Sequence, residues 1–559
     1  MHRMWGIGVA CAALVGCSLS LDFTECRTDD DCTDSLVCTS DGYCATPASA
    51  YDGPQFHSLE CEAVYGPVHS EDVLLIGTVL PLTGSSSDAG LQMEQAVIMA
   101  VEAFNADGGI LPGGRALGVV LCDSGSDPSQ GVKAAHHLVS LGVSAVVGPA
   151  VDAVALAVAE EVSPPNETLG KSGLLLMSPS ATHPALSSAE AAGEDLVWRV
   201  TASAEVQMNA MRSMLGDPEA HGLPTPLESL VVLYNVSDTT LGPVLQELLF
   251  NSLTANPIPD LDPEKLVWIP YLPDVASGDW VHEPTRKLVL ENPDVAVVLG
   301  GTETSQLVAW LEALWHSAPF GCDRPGERGW DDNPTDGQVD VGEVLANLRC
   351  TRLKSLEDPP HWLLTQGDMR AKLQTEIMGY SLYCETPSSD GSGECQEEIE
   401  SFGIQEAFGR ISGMTQSEGD GASLETFRIG FEGVHGVPVQ SGSFASQAWD
   451  ATHLLAFGLA AALGQEGAKL EASDVAKGLR LLQSGSVFDL SGESTQLSSA
   501  LGTLAIDGEI NLQGASGNLD FTAQGEPGTS AVHRWRPLNT PGEFLLSPVL
   551  NGDGTNASP

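Results

Sequence analysis

The chain has 559 residues, too many for a single hydrophobic core, and this length indicates two or more domains. Hydrophobic residues make up 42% of the chain, which fits a soluble globular protein and excludes a disordered or polytopic membrane protein. Acidic residues number 75 and basic residues 24, giving a net charge of −51. This excess disfavours nucleic acids and anionic lipid surfaces as partners, because like charges repel.

The first residues have the pattern of an export signal. A basic pair, His2 and Arg3, precedes an apolar run from Ile7 to Val15 that is too short to span a bilayer. The run ends in LVGC, which resembles the bacterial lipobox and implies a signal peptide at 1–16 and lipidation of Cys17. An ordinary cleaved signal peptide, with Cys17 unmodified, is the alternative. We therefore expect an exported protein of the periplasm or cell surface, anchored to a membrane as a lipoprotein.

A cysteine-rich segment follows at 17–60. Its cysteines at 26, 32, 38 and 44 recur every six residues among acidic and small residues. So short a module has no core of its own, and two disulfides could order it as a stalk. A zinc cluster is the alternative, although the C-x₂-C spacing is missing. For the other cysteines the local choices are Cys61 with Cys122, Cys322 with Cys350, and Cys384 with Cys395, and sequence does not fix the connectivity.

Short apolar runs alternate with helical patterns from Val73 to Thr182, which predicts an α/β fold with a parallel sheet wrapped by crossover helices. The runs are Leu74–Leu80, Leu117–Cys122, Val143–Val147 and Leu174–Met177. In such sheets the ligand site lies at the carboxyl ends of the strands. The candidate loops are Thr83–Asp88, Gly148–Ala153 and Ser178–Thr182.

The second half repeats this alternation. Strands are expected at Leu230–Tyr234, Leu266–Ile269, Val295–Leu299 and Trp362–Thr365, with helices around Pro243–Leu253, Trp280–Glu291 and Gln306–Trp315. A second α/β unit is therefore expected.

Several segments, in order, carry a resemblance to a known family. They include AVEAFNADGGILPGGRALGVVLCDSGSDPSQGVKAAHHLVSLGVSAVVGP, LLLMSPSATHPALS, ASQAWDATHLLAFGLAAAL and GASGNLDFTAQGEP. The chain resembles the type I periplasmic solute-binding proteins, and more closely their leucine/isoleucine/valine-binding branch, which serves ABC importers. The resemblance implies two Rossmann-like lobes joined by a multi-strand hinge. Lobe one would comprise 70–198 and 386–510, and lobe two 199–385 and 511–545. The tail 546–559 is expected to be disordered, because its end is low in apolar residues.

The resemblance also implies a ligand between the lobes, held in the first lobe by Thr83, Gly84, Ser85, Ser86, Asp152, Ser180 and Thr182. Their loops feed helix N-termini, whose free N–H groups attract anions. Simple turn and capping chemistry is the alternative. Asp152 departs from the family, whose amino-acid binders have a serine there that receives the ligand carboxylate. An aspartate would repel an anionic group or bind an ammonium instead.

In the second lobe, Thr239 or Thr240, and Thr302, stand where the family commonly has tyrosines. Asp368 corresponds to the acidic residue that holds the ligand's amine. We therefore expect a small polar solute, an amino acid or a related amide or amine, with a cationic or hydroxyl-rich molecule at least as favoured as a branched-chain amino acid.

An acidic stretch, DNPTDGQVDVGE, echoes a calcium loop through Asp332, Asp336, Asp340 and Glu343. Proline occupies its third position and cannot ligate through its side chain, so a solvated acidic loop is the alternative. No other cofactor is predicted.

Motifs of nucleophilic, phosphate-binding or zinc-dependent enzymes are missing from the sequence, which favours a protein without catalytic activity. We expect a lipoprotein that closes over its solute by hinge motion and delivers it to an ABC permease. Two alternatives remain: a ligand-sensing receptor with a membrane sensor partner, and a surface interaction protein that has lost solute binding.

Overall fold

A computed structural model describes residues 37–38, 44–45, 56–70, 72–110, 114–161, 173–189, 196–236, 241–273, 279–301, 303–317, 359–365, 373–375, 407–416, 422–464, 470–490, 494–506, 508–528, 531–540 and 544–550. The chain divides into two compact units, Met1–Gln55 and Phe56–Pro559. In the first unit, Val37–Cys38 pairs antiparallel with Cys44–Ala45, which sets Cys38 opposite Cys44.

The described strands of the second unit are numbered in chain order. They are β1 Ala63–Tyr65, β2 Leu74–Thr78, β3 Leu117–Leu121, β4 Ala145–Val147, β5 Leu175–Ser178, β6 Val197–Arg199, β7 Leu230–Asn235, β8 Leu266–Tyr271, β9 Val295–Leu299, β10 His361–Leu364, β11 Ile411–Gln416, β12 Ser486–Asp489, β13 Ile510–Gly514, β14 Gly517–Asn518, β15 Val532–Pro537 and β16 Phe544–Leu550.

The described helices are α1 Ser87–Ala106, α2 Pro128–Ser140, α3 Asp152–Glu161, α4 Ala185–Ala189, α5 Ala204–Gly216, α6 Gly242–Ala255, α7 His282–Glu291, α8 Thr304–Ser317, α9 Ala422–His435, α10 Ala445–Gly464, α11 Ala472–Leu479 and α12 Ser494–Leu504. Short 3₁₀ turns lie at Pro263–Lys265, Asp279–Val281 and Arg480–Leu482. No helix in these parts of the chain combines the length and apolar character that a membrane span requires.

Two large sheets organise the second unit. The first has the order β1-β3-β2-β4-β5-β6 and is parallel except for β1. The second has the order β8-β7-β9-β10-β11-β15-β16, in which β7 to β11 are parallel and β15 and β16 are antiparallel. A small third sheet has the order β12-β13-β14. The predicted alternation of parallel strands and helices is confirmed.

Both large sheets are covered by helices on their two faces, which explains why most of their parallel strands consist largely of apolar residues. Apolar residues of α1, α10 and α11 pack on one face of the first sheet, and those of α2 and α3 on the other. In the second sheet α5 and α6 cover one face, and α7 and α8 the other. We call each large sheet with its helices a lobe. Helix α10 is buried nearly all round, as expected for a helix with no polar face.

The predicted boundaries need three corrections. Strand β11 was assigned to the first lobe, but it pairs with β10 and β15 in the second sheet. Residues after 510 were assigned to the second lobe, but Leu512, Leu519 and Phe521 pack in the core of the first. Residues 546–550 were expected to be disordered, yet they continue β16, whose main chain pairs with β15. The sequence gives the order of elements, whereas sheet membership depends on distant partners.

The predicted cysteine-rich stalk, 17–60, also extends too far along the chain. Phe56 belongs to the second unit and is buried against α2, and His137 of α2 bonds the carbonyl of Phe56. A disulfide joins Cys61, just before β1, to Cys122, just after β3. Strand β1, absent from the sequence prediction, therefore extends the first sheet by an antiparallel edge strand.

Two chain crossings leave the lobes from the carboxyl ends of parallel strands. Residues 200–203 lead from β6 into α5, and β11 ends at Gln416, after which the next described element is α9. The buried side chain of Gln416 bonds the first crossing on both sides, accepting from the amide of Ala202 at 2.6 Å and donating to its carbonyl at 2.5 Å. The carboxyl-terminal edges of both sheets therefore adjoin the same crossings.

Helix α10 carries two buried titratable groups. The carboxylate of Asp450 accepts the amides of Ala515 at 2.9 Å and Ser516 at 2.7 Å, which fixes the turn between β13 and β14. Burial raises the pKa of Asp450 to about 7, while the hydrogen bonds from Ser516 and Ala515 act in the opposite direction. Burial also lowers the pKa of His453 to about 4. Between pH ~4 and pH ~6.5, the stability contributed by Asp450 therefore falls as the pH rises, whereas the stability contributed by His453 increases.

We predict that Asp450→Asn reduces the free energy of unfolding more at pH 5 than at pH 8. The folded state holds the Asp450 proton up to its pKa of about 7, whereas an unfolded carboxyl releases it near pH ~4. The stability from this group is therefore complete below pH ~4 and lost as the pH rises through 7, by about 1.4 kcal/mol per unit. Denaturant unfolding of both proteins at each pH measures the difference. The exposed Glu425→Gln is the control, and an equal loss at both pH values would contradict the prediction.

Candidate functional site

The loop after β2 is fixed by the residue that follows β3 by two positions. The carboxylate of Asp123 accepts the amides of Leu82 at 2.9 Å, Thr83 at 3.1 Å and Gly125 at 2.7 Å. It also accepts the hydroxyl of Thr83 at 2.6 Å. The predicted ligand residue Thr83 therefore uses its hydroxyl within the protein. Asp123 was missed by the sequence analysis, although its place after a parallel strand could have identified it.

The backbones of these two loops touch at Gly84. Its φ of +86° is one that residues with a side chain rarely adopt. A Cβ at this position would lie 2.3 Å from the carbonyl oxygen of Gly125. Ser126 bridges the same loops, accepting from the amide of Ser86 at 3.3 Å and donating to the carbonyl of Thr83 at 3.3 Å. Ser85 is exposed at the tip of the loop. The loop is a close-packed turn that leads into α1.

Asp152 joins the other two predicted loops. Its Oδ1 accepts the amides of Thr182 and His183, each at 2.7 Å, and its Oδ2 lies 3.4 Å from the hydroxyl of Thr182. Burial raises the pKa of Asp152, and the amide hydrogen bonds from His183 and Thr182 act against it. The structure thus brings the predicted residues Asp152 and Thr182 together. Asp152 begins α3, where the free N–H groups of the helix favour a carboxylate.

Further bonds hold the loop after β5. The hydroxyl of Ser180 donates to the carbonyl of Ala150 at 2.7 Å, so this predicted ligand residue also has a partner within the protein. The buried guanidinium of Arg199 donates to the carbonyl of His183 at 3.0 Å and forms an ion pair with Glu526. We call the four loops, 82–86, 123–127, 148–152 and 178–183, the cradle.

One loop of the cradle is hydrogen-bonded to the start of α5, just after the first crossing. The amide of Ala204, the first residue of α5, donates to the carbonyl of Thr182 at 2.8 Å. Because α5 packs in the second lobe, this bond links the cradle loop of the first lobe to the start of the second. The cradle therefore lies at the edge where the chain passes between lobes.

The second lobe has a carboxylate at the corresponding edge. Oε1 of the buried Glu303 accepts Nδ2 of Asn235 at 2.6 Å and the hydroxyl of Tyr271 at 3.0 Å. The amide of Gly301 lies 3.1 Å from both oxygens. Asn235 and Tyr271 end β7 and β8, and Glu303 follows β9. The sequence analysis missed this cluster, which the same rule about strand ends could have found.

The other candidate residues lie outside the described part of the chain. They are Thr240, Thr302 and Asp368 of the second lobe, the lipidation candidate Cys17, and the acidic residues Asp332, Asp336, Asp340 and Glu343. Within the residues that the structure describes, no group of three or more His, Cys, Asp or Glu side chains is placed to hold a metal ion.

We predict that Gly84→Ala destabilises the protein more than Gly108→Ala. Both glycines have positive φ, at +86° and +96°, so both variants carry the conformational penalty of about 1 kcal/mol. Only at Gly84 does the new Cβ overlap a backbone atom, since nothing lies within 4 Å at Gly108. Denaturant unfolding measures both losses. Equal losses would show that the two loops separate at little cost.

Comparison with known proteins gives a partial sequence match. Residues 74–235 match the model of a family described as periplasmic binding protein. The chain is 34% identical over 129 residues to the Leu/Ile/Val-binding protein BraC3 of Rhizobium johnstonii, covering 23% of this chain and 32% of that protein. It is 34% identical over 113 residues to Leu/Ile/Val-binding protein homolog 3 of Brucella melitensis, covering 20% and 28%. The match therefore spans about a third of these relatives' length.

Solved structures match over most of the chain. The leucine-binding protein LivK of Thermotoga maritima superposes with a TM-score of 0.55 at 15% identity, covering 86% of this chain and 99% of that one. LivJ of Streptococcus pneumoniae, solved with isoleucine, has a TM-score of 0.54 at 16% identity, covering 85% and 99%. At such identities the likeness establishes the fold alone.

The sequence match and the fold agree with each other and with the predicted resemblance, which is confirmed. The proteins matched in sequence are named as binding proteins and not as enzymes, in keeping with the expectation of a protein without catalytic activity. Residues 74–235 therefore resemble the periplasmic binding proteins in sequence, and the fold is that of the type I periplasmic binding proteins.

Proposed function

We propose that the chain is the solute-binding component of an ABC importer and holds a small polar solute between its two lobes. The observation that carries the proposal is the position of the cradle. Its loops follow parallel strands of the first sheet, and Glu303 follows a parallel strand of the second. Both edges adjoin residues 200–204 and Gln416, where a solute would contact both lobes. Ligand sites of parallel α/β sheets lie at such strand ends.

The two lobes of the proposed binding unit comprise about 56–199 with 422–528, and 204–416 with 531–550. The side chain of Gln416, the last residue of β11, is hydrogen-bonded to the main chain of Ala202, so the chain that leaves the first lobe is fixed to the second lobe at this point. Closure about such a hinge would give the liganded protein a shape that a permease can distinguish.

A screen of the whole exported chain tests the proposal. We expect at least one solute among amines, amides, polyols and amino acids to raise the melting temperature, because a ligand at 100 times its Kd stabilises by about 2.7 kcal/mol. Small-angle scattering should then report a smaller radius of gyration with that solute. A panel with neither effect would favour a surface interaction protein. A solute that binds without affecting import in the native cell would favour a sensor.

We also propose that Cys17 carries a lipid anchor and that the cysteine-rich segment 17–55 separates this anchor from the binding unit. The support is the LVGC sequence at the end of a signal-like apolar run.

We predict that Cys17→Ser moves the protein from the membrane fraction to the soluble fraction of expressing cells. Serine lacks the thiol that the lipid would modify, and a binding unit with a net negative charge has no attraction to anionic lipids. Immunoblots of both fractions and labelling with a fatty-acid analogue provide the measurement. Cys11→Ser, within the proposed signal peptide, is the control. Unchanged fractionation of Cys17→Ser would disprove the anchor.

A further inference from the structure

We propose that Asp152 is a specificity-determining residue that fills the carboxylate position of the cradle from within. The cleft would then select solutes that offer amines, amides or hydroxyls and discriminate against solutes that carry a carboxylate. This inference rests on the proposed function, because it names the solute class of the same cleft.

In two of the cradle loops, main-chain amides that could receive a solute carboxylate are already occupied. A carboxylate binds a protein through amides at the start of a helix and nearby hydroxyls. In this cradle the amides of Thr182 and His183 donate to Oδ1 of Asp152 at 2.7 Å each. Asp123 likewise takes the amides of Leu82 and Thr83. The protein's own side chains therefore hold the place of the ligand's anionic group.

Asp152 has capacity left for a donor. A carboxylate offers about four lone-pair positions, and Oδ1 uses two for the short amide bonds. Among the described residues, the contact of Oδ2 is the hydroxyl of Thr182 at 3.4 Å. Oδ2 therefore has more acceptor capacity left than Oδ1 for a solute N–H or O–H. A solute carboxylate at this place would meet like charge without a free donor.

The charges around the cradle favour the same class. Arg199 is the cation next to the loop after β5, but its guanidinium already forms an ion pair with Glu526 and donates to the carbonyl of His183. On the second lobe the edge presents Glu303, whose carboxylate is fixed by Asn235 and Tyr271. Fixed acceptors on both edges suit a solute with donors at both ends, such as a diamine or an amino-polyol.

Chemical rescue tests the filled position without knowledge of the solute. Asp152→Gly removes the carboxylate and leaves the two amides and the hydroxyl open, so acetate should raise the melting temperature of this variant on the order of 2 °C above chloride of equal ionic strength. The wild type and Asp152→Asn, whose carboxamide fills the same volume, should not respond. Equal acetate responses of all three proteins would overturn the inference. If Asp152→Gly does not fold, Asp152→Ser takes its place, since its shorter side chain also vacates the amides.

Matched solute pairs test the selectivity. The probes are leucine against leucinamide, arginine against agmatine, and ornithine against 1,4-diaminobutane, each pair differing at the carboxylate. For any pair that binds, the wild type should prefer the carboxylate-free member by at least about tenfold, and Asp152→Ser should lose that preference. Equal or tighter binding of the carboxylate member by the wild type would overturn the inference.

Asp294→Gly is the matched control for selectivity. Asp294 also accepts two amides, of Glu228 at 2.9 Å and Ser229 at 2.8 Å, but it lies before β9, at the amino-terminal edge of the second sheet. This variant should lose stability and keep the preference. If no solute binds while acetate rescues Asp152→Gly, the proposed function fails, and the selectivity assigned to Asp152 fails with it, although Asp152 still fills an anion position. If solutes bind but the two members of each pair bind equally, the proposed function stands and the assignment of Asp152 fails.

Discussion

The proposed binding edge of this protein depends on how the main-chain amides of its strand-end loops are satisfied. A buried N–H needs an acceptor, and irregular loops cannot supply one through sheet or helix bonds. Here carboxylates supply it repeatedly: Asp123 and Asp152 in the cradle, Glu303 in the second lobe, and Asp294 and Asp450 elsewhere. Part of the chain's acidity therefore fixes the backbone in place. The remainder gives a charged surface that favours solubility.

The same bonding pattern changes the interpretation of the predicted ligand residues. Thr83, Ser180 and Thr182 were selected as hydroxyls that would contact a solute. In the structure the hydroxyls of Thr83 and Ser180 donate to Asp123 and to the carbonyl of Ala150. The alternative of turn chemistry is therefore realised for these two hydroxyls, and the loops still stand at the edge where a solute would bind. Capping and recognition are compatible, because a loop fixed in this way presents a preorganised surface.

The sequence predicted local elements well and long-range partners poorly. Strands such as Val295–Leu299 are recognisable because a run buried on both faces is apolar throughout. Helix α2 is marked by Pro128 and by Asp127, which caps the amide of Gln130 at 2.9 Å. Strand β11 was placed in the wrong sheet, since its sequence carries no information about which neighbour it pairs with. Glu303 was not predicted, because the residue at the corresponding family position is its neighbour Thr302.

The bond between Ala204 and Thr182 has a consequence for motion. It ties the start of α5 to the cradle loop, close to where the chain passes between lobes. Points near the axis of a rotation move little, whereas displacement grows with distance from that axis. The solute's first contacts would therefore stay almost stationary during closure while the far end of the second lobe travels furthest. A rotation of a few degrees about an axis near the cradle would therefore produce a large displacement at the far surface of the second lobe.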